Sequence, residues 1–459
     1  MQNLPYRVFY KPKDAVAADF IPFAYDGKFR IFYLHDWRNA SVYGEGTPWF
    51  LIETDDFLHF EERGEVLPRG SVDDPDLYVF TGSVLRAEGR FHIFYTAHNP
   101  YLAKRGRPME LIAHAVSDDL VHWTKLPEDS FAAEEGFDPD NLRDPFVFRD
   151  DNAGVWRMAC VKRPLNGVLP SGATGQYISD DLKTWRPAPD FWAPNLFHTH
   201  ECPDLFRMGD WWYLIYSEYS DRSRTRYVMS KDLMGPWQMP DDDVFDSRAY
   251  YAAKSWADGG RCYLFGWIPT HENDTDGGNW QWGGNLGVLE LVQRPDGTLS
   301  VRMPESIDKA FRAEAVCPPC CMENRSGYAE QPLFDNLSGT YRIDTVLTAE
   351  PGTHAFGITF ARDAASRAGY RFELIPSENR IMFGRMEGIR TRDLTRSVRL
   401  TPGHPVTLRI IVDCDICVAY INDEYAFSAR ILEPAGTSAA LYSVCGAVSA
   451  GETTLFRLP

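Results

Sequence analysis

Residues 27–34 read GKFRIFYL, a glycine followed by an aromatic-rich apolar run, and the pattern returns four more times. The later copies are GRFHIFYT (89–96), GVWRMACV (154–161), GDWWYLIYS (209–217) and GRCYLFGW (260–267), at spacings of 62, 65, 55 and 51 residues. A second pattern follows each of the first four copies: TDDFLHF (54–60), SDDLVHW (117–123), SDDLKTW (179–185) and SKDLMGPW (230–237). Its Ser, Thr and Asp side chains can hydrogen-bond their own backbone and so fix a turn. The aromatic at its end is placed to anchor each unit to its neighbour. Each unit holds several short strands separated by turns, about one four-stranded sheet. Five such sheets arranged radially predict a five-bladed β-propeller over residues 1–302. A sandwich with accidental similarity would not give the matches in order.

Beyond residue 302 the pattern stops. PESIDKAFRAEA predicts one short helix in a linker over 303–324. From 325 to 459 the chain reads as alternating strands such as YRIDTVLTA (341–349) and VTLRIIVD (406–413), which predict an antiparallel β-sandwich. The fold class is therefore all-β, a propeller followed by a sandwich.

Composition sets the outer limits. The 459 residues are 44% apolar, 24% charged and 14% aromatic, which excludes disordered, collagen-like and coiled-coil chains. Lys plus Arg number 47 and Asp plus Glu 65, so the net charge is −18. That charge argues against nucleic acid or an anionic membrane as partner. The first residues, MQNLPYRVFYKPKDAV, contain no signal-peptide-like apolar run, so a cytoplasmic location is expected. Nine scattered cysteines do not make a disulfide framework. CPPC (317–320) and CDIC (414–417) have the spacing of zinc pairs, but packed free thiols are the favoured reading, and neither metal nor cofactor is expected.

In a propeller the innermost strand of each blade lines the central channel, so acids just ahead of the glycine motif matter most. Asp19 precedes Gly27, Asp144 precedes Gly154 and Glu201 precedes Gly209, each by eight to ten residues. Three converging carboxylates suit glycoside hydrolysis. Like charges at short range also hold their pKa values apart. Arg143 can keep its neighbour Asp144 ionised while binding a sugar hydroxyl. Structural roles compete: Asp144 as a turn residue before Pro145, Glu201 as an ion-pair partner of Arg207 or His198, Asp19 as a strand-end cap.

LRDPFVF (142–148) and HECPDLF (200–206) resemble the Arg-Asp-Pro and Glu-Cys signatures of glycoside hydrolase family 32, which holds invertases, inulinases and levanases. VFTGSV (79–84) is similar to the family's Phe-Ser-Gly-Ser, and FGWIPT (265–270) with WQWGGNLGVLELVQRPDGTL (280–299) to its propeller close. The resemblance implies a retaining, exo-acting β-fructofuranosidase. In it Asp19 is the nucleophile, Asp144 the transition-state stabiliser and Glu201 the acid/base, while Arg143, Phe80 and Thr81 contact the furanose. The chain departs from the family around the sugar. Ala18 stands where the family has Asn, Leu34 where it has Gln, and Ala249 beside Arg248 where it has Asp. His35 and Asp36 are expected to replace the missing polar contacts, and Trp49 and Tyr250 are further candidate contacts.

Two other stretches bear on the site. HENDTDGGNWQWGG (271–284) either closes blade 5 as a surface loop or overhangs the channel and offers Trp280 or Trp282 as a platform. SEYSDRSRTR (217–226) puts Arg222, Arg224 and Arg226 on one face, expected to be solvated, with a phosphorylated sugar as the lesser alternative. The substrate is expected to be an oligosaccharide or small glycoside. Competing functions are an arabinofuranosidase or other furanosidase, a fructosyltransferase on the same fold, and a non-catalytic carbohydrate-binding propeller.

Overall fold

The structure is a computed structural model that describes residues 4–167, 171–258, 260–386 and 394–459. Five antiparallel sheets surround a common axis. Their inner strands are Val16–Tyr25, Tyr78–Ala87, Arg143–Asp150, Glu201–Met208 and Tyr251–Asp258, each pairing with the strand that follows it. Blades 1, 2, 3 and 5 have four strands each; blade 4 has three, with its outer edge held by the bridges Arg226↔Val244 and Met229↔Gln238. Blade 5 joins blade 1 through the pairing of Ala17 with Gly284, which closes the ring.

The repeated residues sit where the repeat needs them. Gly27, Gly89, Gly154, Gly209 and Gly260 make the turn between first and second strands, with φ of +56° to +85°, a conformation glycine adopts without steric cost. In the second pattern the later Asp closes the turn. Asp119 Oδ1 accepts from the N–H groups of Val121 and His122, and Asp181 Oδ1 from those of Lys183 and Thr184. The Trp that follows reaches the preceding blade, as expected: Trp123 lies edge-on to Phe32 at 6.1 Å, and Trp185 to Phe94 at 5.5 Å.

The C-terminal domain is a sandwich of two antiparallel sheets that share the long strand Ser438–Ala450. Ile343, Leu347, Phe356, Ile358, Leu408 and Leu441 meet in its core. Its boundary differs from the sequence expectation. The short helix is present at Glu305–Ala310, but Arg312–Cys317 and Cys320–Phe334 are strands that pair with Thr453–Arg457 and Ser438–Ala450. The sandwich therefore begins at Arg312 rather than 325. The first of these strands is a largely exposed edge whose inward residues are only small ones, Ala315 and Cys317, so alternation marks it weakly.

The two domains share buried charge. Arg430 donates to the carbonyls of Ile268 and Pro269, to Asn285 Oδ1 at 2.7 Å and to Asp415 at 2.9 Å. Asp413 accepts from the N–H groups of Arg7, Val8 and Phe9, and Tyr6 donates to Asp415 at 2.6 Å. Removing one partner strands the others in a dry interface. Arg430→Met is expected to cost about 3–5 kcal/mol, seen as a lowered denaturation midpoint by circular dichroism. Among the described residues no helix is long and apolar enough to cross a membrane.

Candidate active site

Every inner strand carries a β-bulge at the same level. Two residues oppose one at Asp19–Phe20, Asp144–Pro145, Cys202–Pro203 and Ala252–Ala253, and in blade 2 Thr81 is the extra residue. Asp19, Asp144, Cys202 and Ala252 all have left-handed φ, between +47° and +59°. Aspartate tolerates that region; Cys and Ala adopt it at a cost of roughly 1–3 kcal/mol. Blade 2 uses Gly82 instead, where a Cβ would lie 1.9 Å from the carbonyl oxygen of Phe94. Bulges kink a strand and re-aim its side chains. Here they turn one ring of positions toward one mouth of the channel.

The ring distinguishes the three acids. Asp19 and Asp144 occupy the bulge itself, whereas Glu201 stands one residue before it, level with Arg143 and Tyr251. Those three bond in a row. Arg143 donates to Glu201 Oε1 at 3.0 Å, and the Tyr251 hydroxyl donates to Oε2 at 2.7 Å. Arg143 also lies 3.7 Å from buried Glu110 and 3.9 Å from Asp144 Oδ2. Asp144 Oδ2 accepts the N–H of Cys202 at 2.8 Å, and its own N–H bonds the Thr96 hydroxyl. Asp19 Oδ1 accepts the indole N–H of Trp267 at 3.0 Å.

Burial raises all three carboxylic pKa values, and a neighbouring carboxylate adds to each shift. Asp19 is pushed up to about 7, first by burial and then by the charge of Asp144. Asp144 and Glu201 are also raised by burial, with Arg143 as the largest opposing influence on each. The site thus holds three acids raised chiefly by burial, with Arg143 opposing the shift on Asp144 and Glu201.

Two cavities flank this ring. The larger, about 410 Å³, lies over blades 1 and 2 and is lined by Asp36, Trp37, Glu45, Tyr78, Phe80 and Trp282 among others. The smaller, about 330 Å³, lies over blades 4 and 5 and is lined by Glu201, Arg248, Tyr251, Trp267, Trp280 and Trp282 among others. Trp282, 39% exposed, stands between them. The loop 271–282 therefore overhangs the mouth and offers both tryptophans. Arg38 pins it by donating to Thr270 Oγ1, Gln281 Oε1 and the Trp282 carbonyl.

Of the sequence candidates, Arg143 lies beside Asp144 and Glu201 and Thr81 beside Asp19, while Phe80 and Asp36 line the larger cavity. Three others do not reach the site. Trp49 is fully buried in the core between blades 1 and 2, donating to the Phe80 carbonyl. Tyr250 is buried too, its hydroxyl spent on the carbonyls of Leu264 and Gly287; the neighbouring Tyr251 is the residue that reaches Glu201. Alternation decides this, because one residue's shift moves a side chain to the other face. His35 is buried against Phe50, at 4.0 Å, and Trp37, with neither ring nitrogen hydrogen-bonded and its pKa lowered to about 4 by burial. It packs as a neutral ring and does not replace a polar contact. Of the arginines after blade 4, only Arg222 is solvated. Arg226 is held by Glu218, Asp221 and Asp243, and Arg224 donates to the Thr395 carbonyl in the sandwich. Tyr251 and Trp267 are lining residues that sequence reading missed, and Arg248 entered it only as the neighbour of Ala249. The cysteines are all free, and among the described residues no cluster of three or more metal-ligating side chains occurs.

The family model for the N-terminal domain of glycosyl hydrolases family 32 matches residues 19–296. The chain belongs to that family. This glycoside hydrolase is 26% identical to the raffinose invertase of Escherichia coli over 95% of its own length and 90% of that protein's. It is 23% identical to the sucrose-6-phosphate hydrolase of Escherichia coli over the same shares. Among solved structures, the sucrose-6-phosphate hydrolase from Lactobacillus gasseri superposes with a TM-score of 0.79 at 18% identity, over 99% of this chain and 93% of that one. The fructan 1-exohydrolase IIa of Cichorium intybus gives 0.79 at 15% identity, over 100% and 98%. The glycoside hydrolase shares their propeller-plus-sandwich fold.

Proposed function

We propose that this enzyme removes terminal β-D-fructofuranosyl residues from oligosaccharides with retention of configuration. The observation that carries this reading is the ring of bulges, which gathers Asp19, Asp144 and Glu201 at one channel mouth with Arg143 between two of them. Asp19 attacks the anomeric carbon and forms a glycosyl ester. Glu201 donates its proton to the departing oxygen, then takes one from the water that hydrolyses the ester. Asp144, held by the Cys202 N–H and by Arg143, keeps a fixed negative charge beside the oxocarbenium-like transition state. The invertase and sucrose-6-phosphate hydrolase relatives support a fructosyl substrate.

A panel of sucrose, inulin, levan, difructose anhydrides and aryl arabinofuranosides tests the specificity. Proton NMR of the first-formed anomer tests the stereochemistry. Initial release of the β-anomer is expected; initial inversion, or turnover of the arabinofuranosides alone, would replace this reading with that of another furanosidase.

Tyr251 is a positioning residue in this scheme. Its hydrogen bond favours the ionised form of Glu201, so its loss raises that pKa. Tyr251→Phe is expected to lower kcat about tenfold. The alkaline limb of the rate profile, where Glu201 loses its proton, should move to higher pH. An unchanged limb would remove Tyr251 from this role.

A further inference from the structure

The inner strands run from the bulges at one end of the propeller to the glycine turns at the other. A third cavity lies at the turn end, between blades 4 and 5 and away from the catalytic acids. Its volume is about 720 Å³, larger than either cavity at the bulge end. Small residues leave the space open: Gly209 and Gly260 at the turns, Ser255 and Ala257 on the inner strand of blade 5. Gln293 ties the two blades together beside it, donating to the Met208 carbonyl at 2.7 Å and to the Tyr213 hydroxyl.

The lining carries two buried acids that take no part in the proposed hydrolysis. Asp204 is 1% exposed and Glu290 2%. Asp204 Oδ2 accepts the N–H of Ser255, and Glu290 Oε1 accepts from Arg302 at 2.6 Å. Among the described residues the second oxygen of each has no hydrogen-bond donor. A buried acceptor without a donor is destabilising, so both atoms favour a ligand that donates. Phe206 and Trp256 are half-buried in the same wall, and each is fixed by another ring. Phe206 stacks on Tyr213 at 5.1 Å, and Trp256 meets Phe23 edge-on at 5.1 Å. Rings held in this way offer a preformed apolar surface.

Charge narrows the ligand. Arg207, Arg261 and Arg302 line the cavity, so a cationic ligand meets guanidinium groups. An anionic ligand meets Asp204 and Glu290. A neutral polyol suits both: its hydroxyls donate to the carboxylates and accept from the arginines, while its C–H groups lie on the aromatic rings. We propose that this cavity is a second, non-catalytic binding site for a neutral saccharide, at the end of the propeller opposite the catalytic acids. Its volume falls within the range of small-molecule sites, about 300–1,000 Å³. The site stands apart from the fructofuranosidase reading, because none of its lining residues takes part in that chemistry.

Photolabelling of the unmodified enzyme with an arylazide β-glucoside, mapped by peptide mass spectrometry, locates the site without requiring turnover. Label is expected on the peptides that carry Phe206 or Trp256. At least one of glucose, galactose and fructose should displace it at about a tenth of the concentration that glucuronate or glucosamine requires. Arg207 and Ala257 are exposed, so both tolerate substitution. Ala257→Trp fills the cavity and should lower labelling of these peptides about tenfold, and Arg207→Ala should weaken it as well. Hydrolysis of furanosides by both variants should stay within about twofold of the unmodified enzyme. Label confined to the bulge end, displacement by a charged sugar as effective as by every neutral one, or label that survives both variants overturns the proposal. If the label appears here but no furanoside is turned over, the saccharide site stands and the fructofuranosidase reading falls. Turnover without label at these peptides gives the reverse.

Discussion

Asp19→Asn is expected to reduce kcat by about 10⁶-fold, the order of loss when a covalent nucleophile is deleted. No other group at the mouth can substitute. Asp144 spends Oδ2 on the Cys202 N–H and Glu201 spends both oxygens on Arg143 and Tyr251. Asn still accepts the Trp267 N–H, so the fold and the sugar site should survive. In the nucleophilic role proposed for it, Asp19 must be ionised to attack. With its pKa pushed up to about 7, kcat/KM should fall tenfold per pH unit on the acid side of that value, rather than below the usual carboxylate range. Asp144→Asn removes the like charge and should move this limb to lower pH. The same shift affects stability. Between the ordinary value of 3.8 and about 7 the folded chain keeps a proton that the unfolded chain has released. That contribution is fully present below 3.8 and is lost as pH rises through about 7. Asp19→Asn should therefore raise the melting temperature at pH 8 relative to the unmodified enzyme, and by less at pH 4. An acid limb near pH 4, or residual activity above a thousandth, would contradict the assignment.

Glu201→Gln is expected to lower kcat on natural oligosaccharides by about 10²–10⁴-fold. The amide accepts and donates but carries no transferable proton. Its loss should depend on the leaving group. An aryl β-D-fructofuranoside with an acidic phenol departs without protonation, so the variant should form the glycosyl ester from it at a rate within about tenfold of the unmodified enzyme. The later hydrolysis of the ester still lacks its base, so a burst of phenol followed by slow turnover should appear in stopped-flow absorbance. A uniform loss on both substrates, with no burst, would remove Glu201 from proton transfer. The geometry favours the assignment: the side chain is 21% exposed and faces the smaller cavity, while burial raises its pKa.

The architecture was legible because it is periodic. A glycine that must turn with positive φ recurs in each blade, an Asp that must cap its own turn in the first four, and both leave marks on the sequence. The acids were legible through their offset from those marks. What the offset could not convey was the bulge. An extra residue in the inner strand changes which neighbour faces the channel, so Tyr250 was read where Tyr251 belongs. Trp49 and His35 show the other limit: an aromatic near a site in sequence packs inward unless something holds it out.

The contacts of residues 6–9 with Asp413 and Asp415 have a consequence for how the enzyme is made. A ribosome adds about 5–20 residues per second, so a chain of this length takes on the order of tens of seconds to emerge. Blade 1 leaves the tunnel first, yet Asp19 meets its Trp267 partner 248 positions later, and the opening segment finds its anchor more than 400 positions later. The growing polypeptide must carry an open-edged first blade through most of its synthesis. The circle shuts once Gly284 reaches Ala17, and residues 7–9 gain their anchor at Asp413 later still.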